Sequence, residues 1–336
     1  MGIHFPHVDP NASVGGWTKR SILRLELIIR GRFRSSTLGS ATRRRAGDYI
    51  RRLRWPDGFV CPLCGAGGEP WKMSRGLLRC GACDGQVSLT AGTVFEGTRK
   101  PLRTWFLAIW LVTSQKNGVS ALGLQRVLGL GSYQTAWTWL HKLRSAMVRP
   151  GRDCLAGAIE VDETYVGGPE EGKRGRETET KAIVAVAAER DGQAIGRIRL
   201  RRIKDVSADS LLSFVLGTVT SGATIHTDGW RGYAGLTALG YRHQVSAISG
   251  RPEAAHELMP RVHKVASLLK RWLMGTLHGG VQHQHLDYYL DEFTFRFNRR
   301  HSRARGLLFH RLVQQAVAVS PLPYHRIVAA RDNTYR

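Results

Sequence analysis

Apolar positions are arranged very differently in the two halves of the chain. From Pro101 the sequence is apolar on most faces of a helix (Trp105, Phe106, Ile109, Trp110, Val112). Pro favours the first helical position, so the pattern predicts a buried helix to about Lys116. Ser120 suits the N-cap of a short helix ending near Leu128, and Gly129-Leu130-Gly131 reads as a tight turn. Ser132 then caps a longer helix to about Val148, on which Ala136, Leu140, Leu143 and Met147 form one core stripe. Short helix, glycine turn and longer helix make the helix-turn-helix pattern, though any packed helical pair shares it.

Beyond residue 150 strand-like segments dominate: Ala158 to Val166, Ala182 to Ala188, Ala194 to Ile203, Ala223 to Thr227 and Tyr241 to Ile248. Arg190-Asp191-Gly192 turns the second into the third. Helices are predicted from Ser207 to about Leu216, near Leu236, and from about Pro260 to Met274. The order β-β-β-α-β-α-β-α fits a mixed sheet flanked by helices, the order of the RNase H fold.

The N-terminal part has little periodicity. Residues 1–46 are rich in small and polar residues and carry Arg43, Arg44 and Arg45, which predicts a disordered basic arm. Ala46 to Arg54 reads as a short helix, and Trp55 to Phe95 as a small β module with recurrent Gly and Pro. The expected organisation is therefore a multidomain α/β protein: arm 1–46, β module 47–98, helical module 99–150, mixed-sheet domain 151–316 and tail 317–336.

Charge narrows the function. The 336 residues include 50 Lys and Arg against 26 Asp and Glu, a formal net charge of +24. A basic excess of this size points to a polyanionic partner, with nucleic acid the commonest. The longest strongly apolar run, Trp105 to Val112, is far short of the roughly 20 residues of a membrane span. Ile22 to Ile29, broken by Arg24 and Glu26, makes no clean signal peptide. A cytoplasmic, nucleoid-associated protein is expected, in which cysteines bind metal rather than pair.

Four of the five cysteines form two knuckles, Cys61-Pro-Leu-Cys64 and Cys80-Gly-Ala-Cys83, fifteen residues apart. Two thiolates per knuckle complete the tetrahedron that Zn²⁺ accepts, and four protein ligands make the site structural. A redox pair is the alternative. Cys154 reads as a buried free cysteine. Arg51, Arg52, Arg54, Lys72, Arg75 and Arg79 surround the knuckles and are candidate phosphate contacts, as on any solvated basic surface. On the Ser132 helix, Gln134, Thr135, Thr138, His141 and Lys142 lie off the core stripe and are candidate base contacts.

The acids suggest a catalytic centre. Asp162 sits within one predicted strand and Asp228 at the end of another, beside apolar residues. Carboxylates there are costly without a partner, and a divalent cation such as Mg²⁺ or Mn²⁺ is the natural one. On the Pro260 helix His263 and Lys270 are seven residues apart and share a face. His263 is a candidate third ligand and Lys270 a candidate phosphate contact. A surface histidine is the plain alternative, and Glu257 a rival ligand.

In order along residues 50–315, Arg54-Trp55-Pro56-Asp57-Gly58-Phe59-Val60-Cys61-Pro62, Val161-Asp162-Glu163-Thr164-Tyr165-Val166-Gly167-Gly168, Thr227-Asp228-Gly229-Trp230-Arg231-Gly232-Tyr233, Ser267-Leu268-Leu269-Lys270-Arg271 and the Tyr289–Phe293 and Arg296–Arg300 segments form one set. The set resembles bacterial insertion-sequence transposases with an N-terminal zinc ribbon and an RNase H-like DDE-type catalytic domain. The resemblance implies Asp162 and Asp228 as two catalytic acids and Lys270 as the lysine after the third ligand. His263 stands where the family has Glu or Asn, leaving the site one negative charge short. The implied reaction is two-metal phosphoryl transfer: Asp162 bridges both ions, and Asp228 and His263 hold one each. Cleavage of the element's DNA ends and joining of their 3′-hydroxyls to target DNA would follow, with a homodimer or larger assembly on double-stranded DNA. An inactive DNA-binding regulator and a plain RNase H-like nuclease are the alternatives.

Overall fold

The computed structural model describes residues 39–149, 151–168, 181–246, 255–277 and 280–329. They form two compact units. The first takes the chain up to Ala146 together with Ser302–Pro323; the second takes Met147–His301 and the residues from Tyr324.

The first unit opens with α1 (Gly39–Arg54). The arm expected to end at residue 46 is therefore helical from Gly39, and the rest of it lies outside the described residues. Ala and Arg are strong helix formers, and buried Ala46, Tyr49 and Ile50 anchor the helix. The ribbon follows as a three-stranded antiparallel sheet, β1 (Trp71–Lys72), β2 (Leu77–Arg79) and β3 (Gln86–Ser88). Next come α2 (Leu102–Ser114), α3 (Ala121–Leu128) and α4 (Tyr133–Ser145). Ser120 and Ser132 cap α3 and α4 by accepting from the backbone N–H of Gly123 and Thr135. Gly129, at φ 60°, ends α3 in the left-handed region where glycine costs least. Trp105 of α2 stacks on Trp139 of α4 with ring centroids 3.7 Å apart.

The sequence pattern groups residues up to 316 with the second half, but the Arg305–Ala318 helix belongs to the first unit. Its buried Leu308, Phe309, Leu312, Val313 and Ala316 recur at helical spacing. Periodicity shows that such a stripe needs a partner, not which one. Here Phe309 stacks on Tyr49 and meets the edge of Phe106. The Tyr49 hydroxyl donates to His310 Nδ1 at 2.6 Å. Burial, reinforced by the Arg311 charge, lowers the His310 pKa to about 4. Above the ordinary value near 6.5 the ring is neutral folded or unfolded. As pH falls below it, the unfolded chain takes up a proton that the fold refuses. Stability is thus lost between about pH 6.5 and 4, by on the order of 3 kcal/mol. Urea unfolding at pH 7 and 4.5 should show this loss in the wild type and most of it removed in His310→Gln.

The second unit is built on β4 (Ala158–Val166), β5 (Ala182–Asp191), β6 (Ala194–Ile203), β7 (Thr224–Thr227) and β8 (Arg242–Val245). The order across the sheet is β6-β5-β4-β7-β8, with β6, β5 and β4 antiparallel and β4, β7 and β8 parallel. Between these strands lie α5 (Ala208–Leu216) and a 3₁₀ turn at Arg231–Leu236, where a short α-helix was expected. After β8 come α6 (Ala255–Leu258), α7 (Pro260–Leu277) and α8 (Leu286–Phe297). The mixed sheet with flanking helices is consistent with an RNase H-like domain.

Strand alternation divides the core into two layers. Ile159, Val161, Ala185, Ala187 and Ile225 pack with Leu211, Phe214 and Tyr233 on one face. Val184, Val186, Ala188 and Leu200 pack on the other with Val262, Val265 and Leu269 of α7 and Leu290 and Phe293 of α8. The free edge of β6 is blunted by side chains from α8 and just beyond it. Asn298 Oδ1 accepts from Ile198 N–H while its Nδ2 donates to the Ile198 carbonyl, imitating a paired strand. Arg300 donates to the Ile195 carbonyl, and Asp287 accepts from Arg202 N–H. An edge so covered is a poor template for another chain.

Candidate functional site

Even-numbered residues of β4 face α7, so Glu160, Asp162 and Thr164 lie on one face. β7 runs parallel beside β4 with Ile159 opposite Ile225 and Glu160 opposite His226. The pairing ends there; Asp162 lies two residues further along β4, and Asp228 follows directly on the end of β7. Strands so paired run about 4.8 Å apart. Asp162 Oδ1 accepts from Glu163 N–H, and Asp228 Oδ1 accepts from Trp230 N–H, which shapes the turn after β7. From α7, His263 Nδ1 approaches Asp162 Oδ2 at 3.9 Å. Both side chains are mostly buried, at 30% and 17% exposed. The rival acid, Glu257, is exposed on α6 ahead of Pro260.

Three residues that sequence reasoning passed over support this cluster. The buried hydroxyl of Tyr233 donates to Glu163 Oε2 at 3.0 Å, tying the 3₁₀ turn after Asp228 to β4. Burial, then the charges of Glu163, Asp162 and Asp228, push this phenol well above its ordinary pKa, so all three acids lie around one ring. Tyr233→Phe should cost about 2 kcal/mol, since a hydrogen bond to a charged group is lost; denaturant unfolding measures it. Glu160, fully buried, accepts from the backbone N–H groups of Arg261 and Val262 at the start of α7. It also pairs with the Arg261 and Arg190 guanidiniums. Lys181, next to the start of β5, lies near Lys270. Partial burial and then the Lys181 charge lower the Lys270 pKa. Strand alternation would place Glu160 on the face of Asp162, but no pattern in the sequence shows its partners.

The ribbon holds a second constellation. The Sγ atoms of Cys61, Cys64, Cys80 and Cys83 all lie within 4.8 Å of one another, the one such metal-capable group of three or more among the described residues. Cys61–Cys83 and Cys64–Cys80 are 3.8 and 3.7 Å apart. A Zn–S bond of about 2.3 Å implies a tetrahedral edge of about 3.8 Å, so the thiols fit Zn²⁺. Burial opposes ionisation of Cys61, but backbone N–H groups of Cys64 and Leu63 outweigh it and lower the thiol to about 7. Cys154 is half-buried and free.

The DNA-contact candidates divide. Gln134 is exposed, while Thr135, Thr138 and Lys142 are half-buried. His141 departs from expectation: it is fully buried, its ring 4.1 Å from that of Trp137, and so is removed from the surface available to a base. The core of α4 is wider than its four-residue stripe because Trp139 and Arg144 are buried as well. Arg54 is likewise engaged inward, donating to the Ser88 and Leu89 carbonyls. Arg79 pairs with Asp84 at 2.8 Å and lies over the Trp71 ring. Arg75 falls in a short 3₁₀ turn, and its side chain is outside the described residues.

Two family models match the chain. Residues 42–86 match a transposase zinc-ribbon domain, and residues 154–298 match an ISXO2-like transposase domain. The chain fits an insertion-sequence transposase with a zinc ribbon. It is 28% identical over 276 residues, 75% of this chain and 90% of the relative, to an uncharacterized protein in transposable element ISH50 of Halobacterium salinarum. No solved structure matches. The transposase-domain match contains Asp162, Asp228, His263 and Lys270, and the zinc-ribbon match contains all four clustered cysteines. No helix among the described residues is long and apolar enough to cross a membrane.

Proposed function

We propose that the protein binds the terminal repeats of its element, cleaves the DNA ends and joins the 3′-hydroxyls to target DNA. The observation that carries this reading is the convergence of Asp162 and His263 beside the strand end bearing Asp228, within a transposase-family domain. Two carboxylates and an imidazole suit a divalent cation, and Asp162, Asp228 and His263 would hold it. Bound Mg²⁺ or Mn²⁺ would polarise the scissile phosphate and ease deprotonation of the attacking water or 3′-hydroxyl.

The chain's own groups do the rest. The neutral His263 ring gives one negative charge less than a carboxylate would, so binding competes with its protonation and weakens as pH falls. Lys270, two turns further along α7, offers its ammonium to a DNA phosphate, with Lys181 nearby. α3 and α4 act as a helix-turn-helix whose base contacts come from Gln134, Thr135, Thr138 and Lys142. The ribbon contributes phosphate contacts. Joining two ends in one event calls for at least two copies on DNA.

The test is incubation of the full chain with duplexes carrying the element's ends, in Mg²⁺ or Mn²⁺. Strand-specific nicks at the ends followed by joined products support the reading. Nicks without joining indicate a nuclease. Tight end binding without any cut indicates a regulator, the outcome that the missing third carboxylate would favour.

A further inference from the structure

We propose that Glu160 is a positioning residue: it holds the N-terminus of α7 against β4 so that His263 faces Asp162. This deepens the metal-site reading above and rests on it. Glu160 and Asp162 are two residues apart on the same face of β4. Arg261, Val262 and His263 follow one another at the start of α7. The register is matched: Glu160 takes the two backbone N–H groups just before His263, and Asp162 meets the His263 ring.

The bonds account for the whole carboxylate. Oε2 accepts from Arg261 N–H at 2.8 Å and Val262 N–H at 3.1 Å. Oε1 accepts from Arg261 Nη1 at 2.9 Å and Arg190 Nε at 3.3 Å. The first N–H groups of a helix have no partner within it and carry partial positive charge, so an acid there is favoured. α7 has no acidic residue in its own first turn. Glu160 supplies that acid from another element, and so fixes where along β4 the helix begins.

The anchor is itself held. Arg190 also donates to His226 Nδ1 at 2.8 Å. Because a guanidinium only donates, the His226 proton sits on Nε2, facing Ser246 Oγ at 2.5 Å. β7, β5, β4 and α7 are thereby joined by one partly buried polar chain on the face that carries Asp162. A site that binds an ion tolerates errors of only about 0.5 Å in its ligands, so the staple sets whether His263 can serve.

The experiment is Mn²⁺ titration of the full-length, zinc-loaded chain, read from the paramagnetic resonance of the free ion, with hydrogen exchange at the start of α7 measured in parallel. Glu160→Gln keeps the shape but loses the charge. It should weaken Mn²⁺ binding about tenfold, the usual scale for a group that orients a ligand, and speed exchange of the Arg261 and Val262 amides. In a His263→Ala background the same change should alter Mn²⁺ affinity less than about twofold, because the two act through one contact. Should Glu160→Gln not fold, Glu160→Asp keeps the charge but withdraws the oxygens, and should show a smaller loss with the same dependence on His263. Unchanged affinity in a folded variant, or an equal loss without His263, overturns the proposal. A wild-type chain that takes up no Mn²⁺ instead sinks the metal-site reading, and this proposal with it.

Discussion

Replacing Asp162 with alanine should abolish metal-dependent cleavage of element ends, a loss of at least about 10³-fold. The expectation follows from position. One carboxylate oxygen of Asp162 lies 3.9 Å from the His263 ring, and the neighbouring strand β7 leads directly into Asp228. In the proposed mechanism, removing its carboxylate takes away a ligand that Asp228 and His263 would need beside them. Several kcal/mol of charge stabilisation at the phosphate depend on the ion, and each 1.36 kcal/mol is a factor of ten in rate. The fold should survive, since the Asp162 side chain is not a core group and Glu160 still holds α7. A strand-specific cleavage assay in Mg²⁺ and Mn²⁺, alongside a thermal melt, checks both halves. Cleavage by a folded Asp162→Ala chain at near wild-type rate would remove Asp162 from the mechanism.

Zinc withdrawal should unfold the ribbon and spare the second unit. The buried apolar cluster of the ribbon is Phe59, Leu78 and the ligands Cys61 and Cys80, with Trp55 and Ala66 partly covered. So few side chains cannot hold three strands of two or three residues each. Structural Zn²⁺ contributes about 10–16 kcal/mol in comparable small modules. Chelation, or Cys61→Ser, is therefore expected to release one Zn²⁺ per chain and to strip protection from the amides of β1 to β3. Amides of β4 and β5, in the other unit, should keep theirs. End binding should fall with the ribbon if it supplies phosphate contacts. Retained ribbon protection without metal would show that packing alone suffices.

Ser120, Ser132 and Ser207 each became an N-cap, because capping is a local bond between a side chain and an amide three residues on. The knuckles closed on one point because CxxC turns are equally local. His141 was misjudged because helical spacing gives a direction around an axis but not how wide a strip neighbouring elements cover. The Arg305–Ala318 stripe follows helical spacing, yet its partners Tyr49 and Phe106 are some two hundred residues or more away in sequence. Glu160 looked like any acid in a strand, since nothing local shows that a helix beginning a hundred residues later lacks its own capping acid.

What the sequence determined by itself is the content of short-range chemistry: the caps, the zinc knuckles, the succession of strands along the chain and the placing of Asp162 within one of them. These follow from bonds and alternation within a few residues. Only the folded chain decided which distant groups meet: His263 rather than Glu257 beside Asp162, Tyr233 on Glu163, and Glu160 at the head of α7. Those pairings depend on how whole elements dock, and docking is set by the combined shape and charge of surfaces that no single segment encodes.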